Sequence, residues 1–194
     1  MEYTMDERNE KIIEECIKTN EINPIKLFYK IASKDFVRMH GPEHHLLDGA
    51  CILTAFYNAG GNIDLKLALK KLCEQSEKMP GAICGQWGVC GAVTSIGAAL
   101  AIIDNTGPLS KEDWGLHMQF TSNALMELGK TGGPRCCKRD AFFAMKTAVK
   151  FINKNYCVKI SGENIKCMFS KMNEQCLKER CPFYEKENSI HLCS

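Results

Sequence analysis

Residues 41–61 read GPEHHLLDGACILTAFYNAGG, and this stretch decides the fold class. Gly41-Pro42 opens a helix, because proline at the first helical position gives up only an N–H that has no partner there. Downstream, Leu46, Leu47, Ala50, Ile52, Leu53, Ala55 and Phe56 lie nearly all round a 3.6-residue period. A helix apolar on every side belongs in the middle of a protein. Asn58-Ala59-Gly60-Gly61 ends it, with glycine where the cap needs positive φ. The expectation is a central, buried helix over 42–58, with Pro42 as its first residue.

Working outward, helical periodicity continues in both directions. Residues 6–20 place Ile12, Ile13, Cys16 and Ile17 on one face, and Asn23-Pro24 starts a short helix holding Ile25, Phe28 and Ile31. Residues 64–76 are amphipathic. A glycine-rich loop over 80–88 leads into 89–104, where Gly91, Ala92, Ser95, Gly97, Ala98 and Ala99 allow close helix approach. Ser110 and Asp113 have capping-box spacing ahead of Trp114, His117, Thr121, Ala124 and Leu128. Residues 138–154 carry Ala141, Met145, Ala148, Val149 and Ile152 on one stripe. Only 156–160 reads as a short strand. The chain is therefore expected to be all-α, a compact bundle of about six or seven helices over residues 1–155. A cysteine-rich extension over 156–194 follows it.

The 194 residues are 45% hydrophobic and 25% charged, the balance of a globular chain, and their formal charge is +2. That near-neutrality argues against nucleic-acid binding through bulk charge. No apolar run is long enough for a membrane span and no apolar signal core opens the chain, so a cytoplasmic protein is expected. Cysteine is the outlier, with 12 residues. In a reducing compartment, that density indicates metal ligation, iron–sulfur chemistry or thiol redox work rather than a disulfide scaffold.

Four constellations could carry such chemistry. The first is His40-Gly41-Pro42-Glu43-His44-His45. The positive end of a helix disfavours imidazolium, so these rings are expected neutral, fit to bind metal or take a proton. The plainer reading is one core or capping histidine beside two exposed ones. The second runs from Cys84 through Gly88 and Cys90 to Gly91; the third is Gly132-Gly133-Pro134-Arg135-Cys136-Cys137-Lys138-Arg139, whose three basic side chains also favour thiolate. Both put cysteine at a helix start, where backbone N–H groups favour thiolate over thiol. Buried structural thiols beside glycine turns are the alternative, and for the third an anion site. The fourth is the tail, Cys167, Cys176 and Cys181, which matches no standard zinc-finger or ferredoxin spacing. These three are expected to share a metal site, with Cys157, His191 or Cys193 as fourth ligand. Packing through Met168, Phe169, Leu177 and Phe183 is the competing account.

The run from Cys84 to Gly97 followed by Cys136-Cys137 resembles the C-GCAxxG-C-C family of small helical redox proteins. Val89, between Gly88 and Cys90, departs from that pattern. The combination HGPEHHLLDGACIL, PGAICGQWGVCGA, GGPRCCKRDAF and CMFSKMNEQCLKERCPFY more closely resembles a cysteine-rich prokaryotic domain of unknown function, sometimes attached to SAM-dependent methyltransferases. The resemblance spans roughly residues 36–184 and implies anaerobic metal or sulfur chemistry.

The expected site joins Cys84, Cys90, Cys136 and Cys137 as ligands of an iron–sulfur cluster, with zinc as the alternative cofactor. His45 is expected to complete it, and His44 and Cys90 to act in catalysis. The expected partner is an electron- or sulfur-transfer protein. The alternatives are a zinc-binding interaction module and a thiol relay from Cys90 to Cys136 or Cys137.

Overall fold

The computed structural model describes residues 2–162 and 164–185; His191 and Cys193, two of the expected tail ligands, lie outside them. Eight α-helices occur among these residues: α1 (Met5–Ile17), α2 (Pro24–Ala32), α3 (His44–Asn58), α4 (Leu65–Ser76), α5 (Ile83–Gln86), α6 (Gly91–Ile103), α7 (Glu112–Thr131) and α8 (Cys137–Asn155). The fold is all-α. The one helix that periodicity missed is α5, a single turn inside the glycine-rich loop and too short to show a period.

Helix α3 is the hub. Every residue from His44 to Phe56 is buried, and α1, α2, α4, α6 and α8 all pack on it. Its closest approach is to α6. At Gly49 a Cβ would stand 2.6 Å from the Ser95 carbonyl oxygen, and the Gly49 N–H donates to Ser95 Oγ at 2.9 Å. The small residues of α6 thus serve the close contact expected of them. Helices α7 and α8 complete the body, with α8 against α3, α6 and α7.

Three local expectations are corrected. Pro42 is not the first residue of α3: it and Glu43 form a turn, and Glu43 is the cap. The Glu43 carboxylate turns back instead to accept from the Arg38 backbone N–H at 2.7 Å and from its guanidinium at 2.6 Å. Ser110 does not cap α7, whose cap is Lys111, because the Ser110 hydroxyl accepts from the Gly107 N–H at 3.0 Å. Residues 156–160 form no strand. Asn153 satisfies their backbone instead, exchanging two hydrogen bonds of 2.9 Å with Ile160.

The tail folds back over the helices. Ile160, Phe169 and Phe183 join the same apolar core as α3, and Phe169 stacks beside Tyr29 and Phe142. Tyr29 Oη donates to the Lys166 carbonyl at 2.6 Å, and the Cys167 N–H to the Phe183 carbonyl at 2.7 Å. Met168, by contrast, is exposed. No described helix is long and apolar enough to cross a membrane.

Candidate functional site: two thiol-lined cavities

Four helix starts meet at one end of the bundle. His44, His45 and Asp48 come from α3, Cys84 from α5, Cys90 and Gly91 from the start of α6, and Arg135, Cys137 and Asp140 from the start of α8. All line one cavity. Cys136, although adjacent to Cys137, is not among them. It lines a second, apolar cavity on the other side of the α8 start, together with Cys167, Cys176, Cys181, Arg139 and Asn173.

Behind the first cavity a buried lysine backs its histidine. Lys138 is 1% exposed, and its ammonium donates to three acceptors: the Arg38 carbonyl at 3.0 Å, His44 Nε2 at 3.1 Å and the Ala32 carbonyl at 3.4 Å. His44 Nε2 also lies 3.4 Å from the Arg38 carbonyl, and its Nδ1 faces Asp48 Oδ1 at 3.4 Å. The result is a row from Lys138 through His44 to Asp48. Its far end is open: Asp48 Oδ2 is buried with no hydrogen-bond partner among the described residues. Burial pulls the Lys138 ammonium down to about 8, against the pull of Asp48, and pushes the Asp48 carboxyl up.

His45 is set differently. Its Nδ1 lies 3.2 Å from the Met79 carbonyl and donates to it, which leaves the Nε2 lone pair for the cavity. Gly91 makes room for this ring; a Cβ there would be 2.3 Å from Nε2. Burial lowers the His45 pKa, so the ring is neutral, as expected of a histidine at a helix start.

The expectation of ready-made thiolates is corrected. Cys90 and Cys136 do cap α6 and α8, but burial pushes the Cys90 and Cys136 thiols up, and Cys137 up to about 12. Buried Asp140, 3.8 Å from Cys90 Sγ, adds to the effect. Desolvation of the anion outweighs the helix N-terminus, and these groups are thiols until something displaces the proton.

The second cavity gathers Cys136, Cys167, Cys176 and Cys181. Cys136 Sγ accepts from the Arg139 N–H and from Asn173 Nδ2, each at 3.4 Å. Cys176 Sγ accepts from the Lys178 N–H at 3.4 Å. His40 supports the assembly from behind. Its Nδ1 accepts from the Cys137 N–H at 3.5 Å, and its Nε2 donates to Asn173 Oδ1 at 3.1 Å.

The expected set Cys84, Cys90, Cys136 and Cys137 is therefore divided, three on one cavity and Cys136 on the other. Cys157 is exposed and lines neither. Among the described residues no three His, Cys, Asp or Glu side chains already stand as a metal-holding group, so ligation at either cavity would have to draw its donors inward. Sequence reasoning missed Asp48 and Asp140, and took Lys138 and Arg139 only as basic neighbours of the Cys136 and Cys137 thiols rather than as buried groups. Their signal was a charge where the helix pattern calls for an apolar residue: Asp48 inside LLDGACIL, and three consecutive charges on the buried face of α8.

An all-helical, cysteine-rich protein with two thiol-lined cavities at one end of its bundle is the class that fold and site define. A family model described as a family of unknown function (DUF5714) matches residues 12–184, and the chain belongs to that family. No curated protein and no solved structure matches it.

Proposed function

We propose that the protein is a cysteine-ligated metal or iron–sulfur protein of redox or sulfur-transfer chemistry, with the cavity of Cys84, Cys90 and Cys137 as its reacting site. One observation carries this reading: three thiols, two buried histidines and two buried carboxylates line a single cavity, with Asp48 Oδ2 unpaired. The donor set fits a thiophilic metal. Sulfur ligands favour iron–sulfur clusters, zinc or Cu(I), and His45 has the attachment usual for a metal-bound imidazole, one nitrogen on a carbonyl and the other free. A bound metal would supply the redox or Lewis-acid chemistry.

The chain's own residues manage protons. Ligation requires Cys90 and Cys137 to lose theirs, and the Lys138–His44–Asp48 row ends at the cavity with an open carboxylate oxygen able to accept one. Beside the site lies a cleft lined by five glycines together with Val89, Leu125 and Leu128, which shares Cys84, Cys90, Arg135 and Asp140 with it. Its glycine stretches let a substrate or an electron- or sulfur-transfer partner approach the backbone there.

The test is purification without oxygen, followed by metal analysis and visible absorption of the wild type and of Cys90→Ser. Bound iron with broad visible absorption, lost in Cys90→Ser, is the expected result. Colourless protein with zinc lost in the same variant would leave the site a metal centre but remove its electron-transfer role. Metal content unchanged by Cys90→Ser overturns the reading.

A further inference from the structure

Cys136 faces away from the reacting site, and its surroundings show why. It shares its cavity with three tail cysteines, Cys167, Cys176 and Cys181, although thirty residues separate Cys136 from Cys167. We infer that these four cysteines hold a single thiophilic divalent ion in a closed, tetrahedral site that pins the tail to the start of α8. Three independent features agree with that assignment.

The first is the hydrogen bonding of the sulfurs. The Lys178 N–H donates to Cys176 Sγ at 3.4 Å. The Arg139 N–H and Asn173 Nδ2 do the same for Cys136, so two of the four sulfurs already accept N–H groups. A thiol accepts hydrogen bonds weakly, whereas a metal-bound thiolate carries the charge that makes such donors useful.

The second is charge. Four thiols binding a divalent ion release four protons and leave the assembly at −2, which an apolar cavity would not hold without a counter-charge. Arg139 lines that cavity and is 3% exposed. Its Nε donates to Asp140 and its Nη2 to the Pro134 carbonyl, while Nη1 is buried without a partner among the described residues. The Arg139 guanidinium, shared with Asp140, offsets part of that charge and leaves one N–H group free to donate to a sulfur.

The third is the tail itself. Among its described residues between 157 and 185 it has only two single-turn 3₁₀ segments, Ser170–Met172 and Lys178–Arg180, and three buried apolar side chains, Ile160, Phe169 and Phe183. A segment with so little regular structure gains what it lacks when metal binding contributes to folding. No donor beyond the four thiols is required, so the site is closed and structural, in contrast to the cavity on the other side of α8.

The experiment is anaerobic titration of reduced, metal-free full-length protein with Co²⁺, following thiolate-to-cobalt charge transfer and tail protection from protease. Variants Cys136→Ser, Cys176→Ser and Cys181→Ser should each lose one equivalent of Co²⁺ with its charge-transfer band. In each, cleavage within 164–185 should be at least tenfold faster than in the loaded wild type. Cys90→Ser and Cys157→Ser should keep that equivalent, and far-UV circular dichroism of every variant verifies the helical body. If Cys136→Ser keeps the equivalent, or Cys157→Ser loses it, the ligand set is wrong. Cobalt without a thiolate band in Cys90→Ser would overturn the site entirely, and neither result bears on Cys90's own cavity.

Discussion

Cys136 and Cys137, consecutive at the start of α8, open onto different cavities: Cys137 joins His45 and Cys90, and Cys136 joins the tail cysteines. Successive residues at a helix start project about 100° apart, so one dipeptide can serve two sites. Arg139 and Asp140 repeat the arrangement one turn later. Arg139 lines the tail cavity, Asp140 the histidine cavity, and the two form an ion pair of 3.0 Å between them. The two sites share one short piece of backbone.

Gly91→Ala should damage the first site alone. The new Cβ would lie 2.1 Å from His45 Cδ2, and the ring is held by Met79 and enclosed. A loss of about 1–3 kcal/mol in urea denaturation is expected from overpacking. Gly97→Ala, whose Cβ meets only Thr121 Oγ1 at 3.2 Å, should cost much less. Equal losses for the two variants would mean that His45 has room to move.

The central helix was legible because its apolar residues run all round, and the Cys90 and Cys136 caps because glycine-rich loops precede them. What the sequence could not show is which way each cysteine faces. Cys136 and Cys137 are equivalent in composition and spacing, and only the return of the tail across α8 separates them. Asp48 and the burial of Lys138 were illegible for a related reason: a charge on a buried face violates the pattern by which faces are recognised, and only the tertiary partner, here His44, explains it.

Thiol labelling should follow burial. In metal-free protein under native conditions, a neutral alkylating reagent should modify exposed Cys157 and half-buried Cys84 first. Buried Cys16, Cys51, Cys90 and Cys136 should react only on unfolding. Mass spectrometry of digests over time gives the order. Rapid modification of Cys90 would contradict its enclosed, protonated state.

Acid should cost the protein the Glu43–Arg38 pair. Burial alone would raise the Glu43 carboxyl, but the Arg38 guanidinium and N–H groups overcome it and hold the pKa at about 2, against an ordinary 4.5. A carboxylate with a depressed folded pKa contributes stability that is fully present above the unfolded value. That stability is lost as pH falls from 4.5 towards 2. Half-exposed Arg38 is screened by solvent, so about 2 kcal/mol is expected. Urea midpoints between pH 6 and pH 2.5 should fall less steeply in Glu43→Gln than in the wild type. Parallel slopes would exclude the pair as a source of acid sensitivity.

Tail packing and tail ligation contribute separately. Phe169→Ala removes a fully buried ring from between Phe28, Tyr29 and Phe142 and should cost about 3–5 kcal/mol with or without metal. Met172→Ala, at an exposed position, should change stability by less than about 0.5 kcal/mol. Thermal melts of both variants in the presence and absence of a chelator make the comparison.

The division of the adjacent cysteines between two centres is tested most directly by metal analysis of anaerobically purified Cys136→Ser, Cys137→Ser and the double variant. Each single variant should lose a different portion of the wild-type metal, and the double variant should lose the sum of the two. If both single variants lose the same metal, and the double variant loses no more than either, one centre uses both sulfurs and the account of two sites fails.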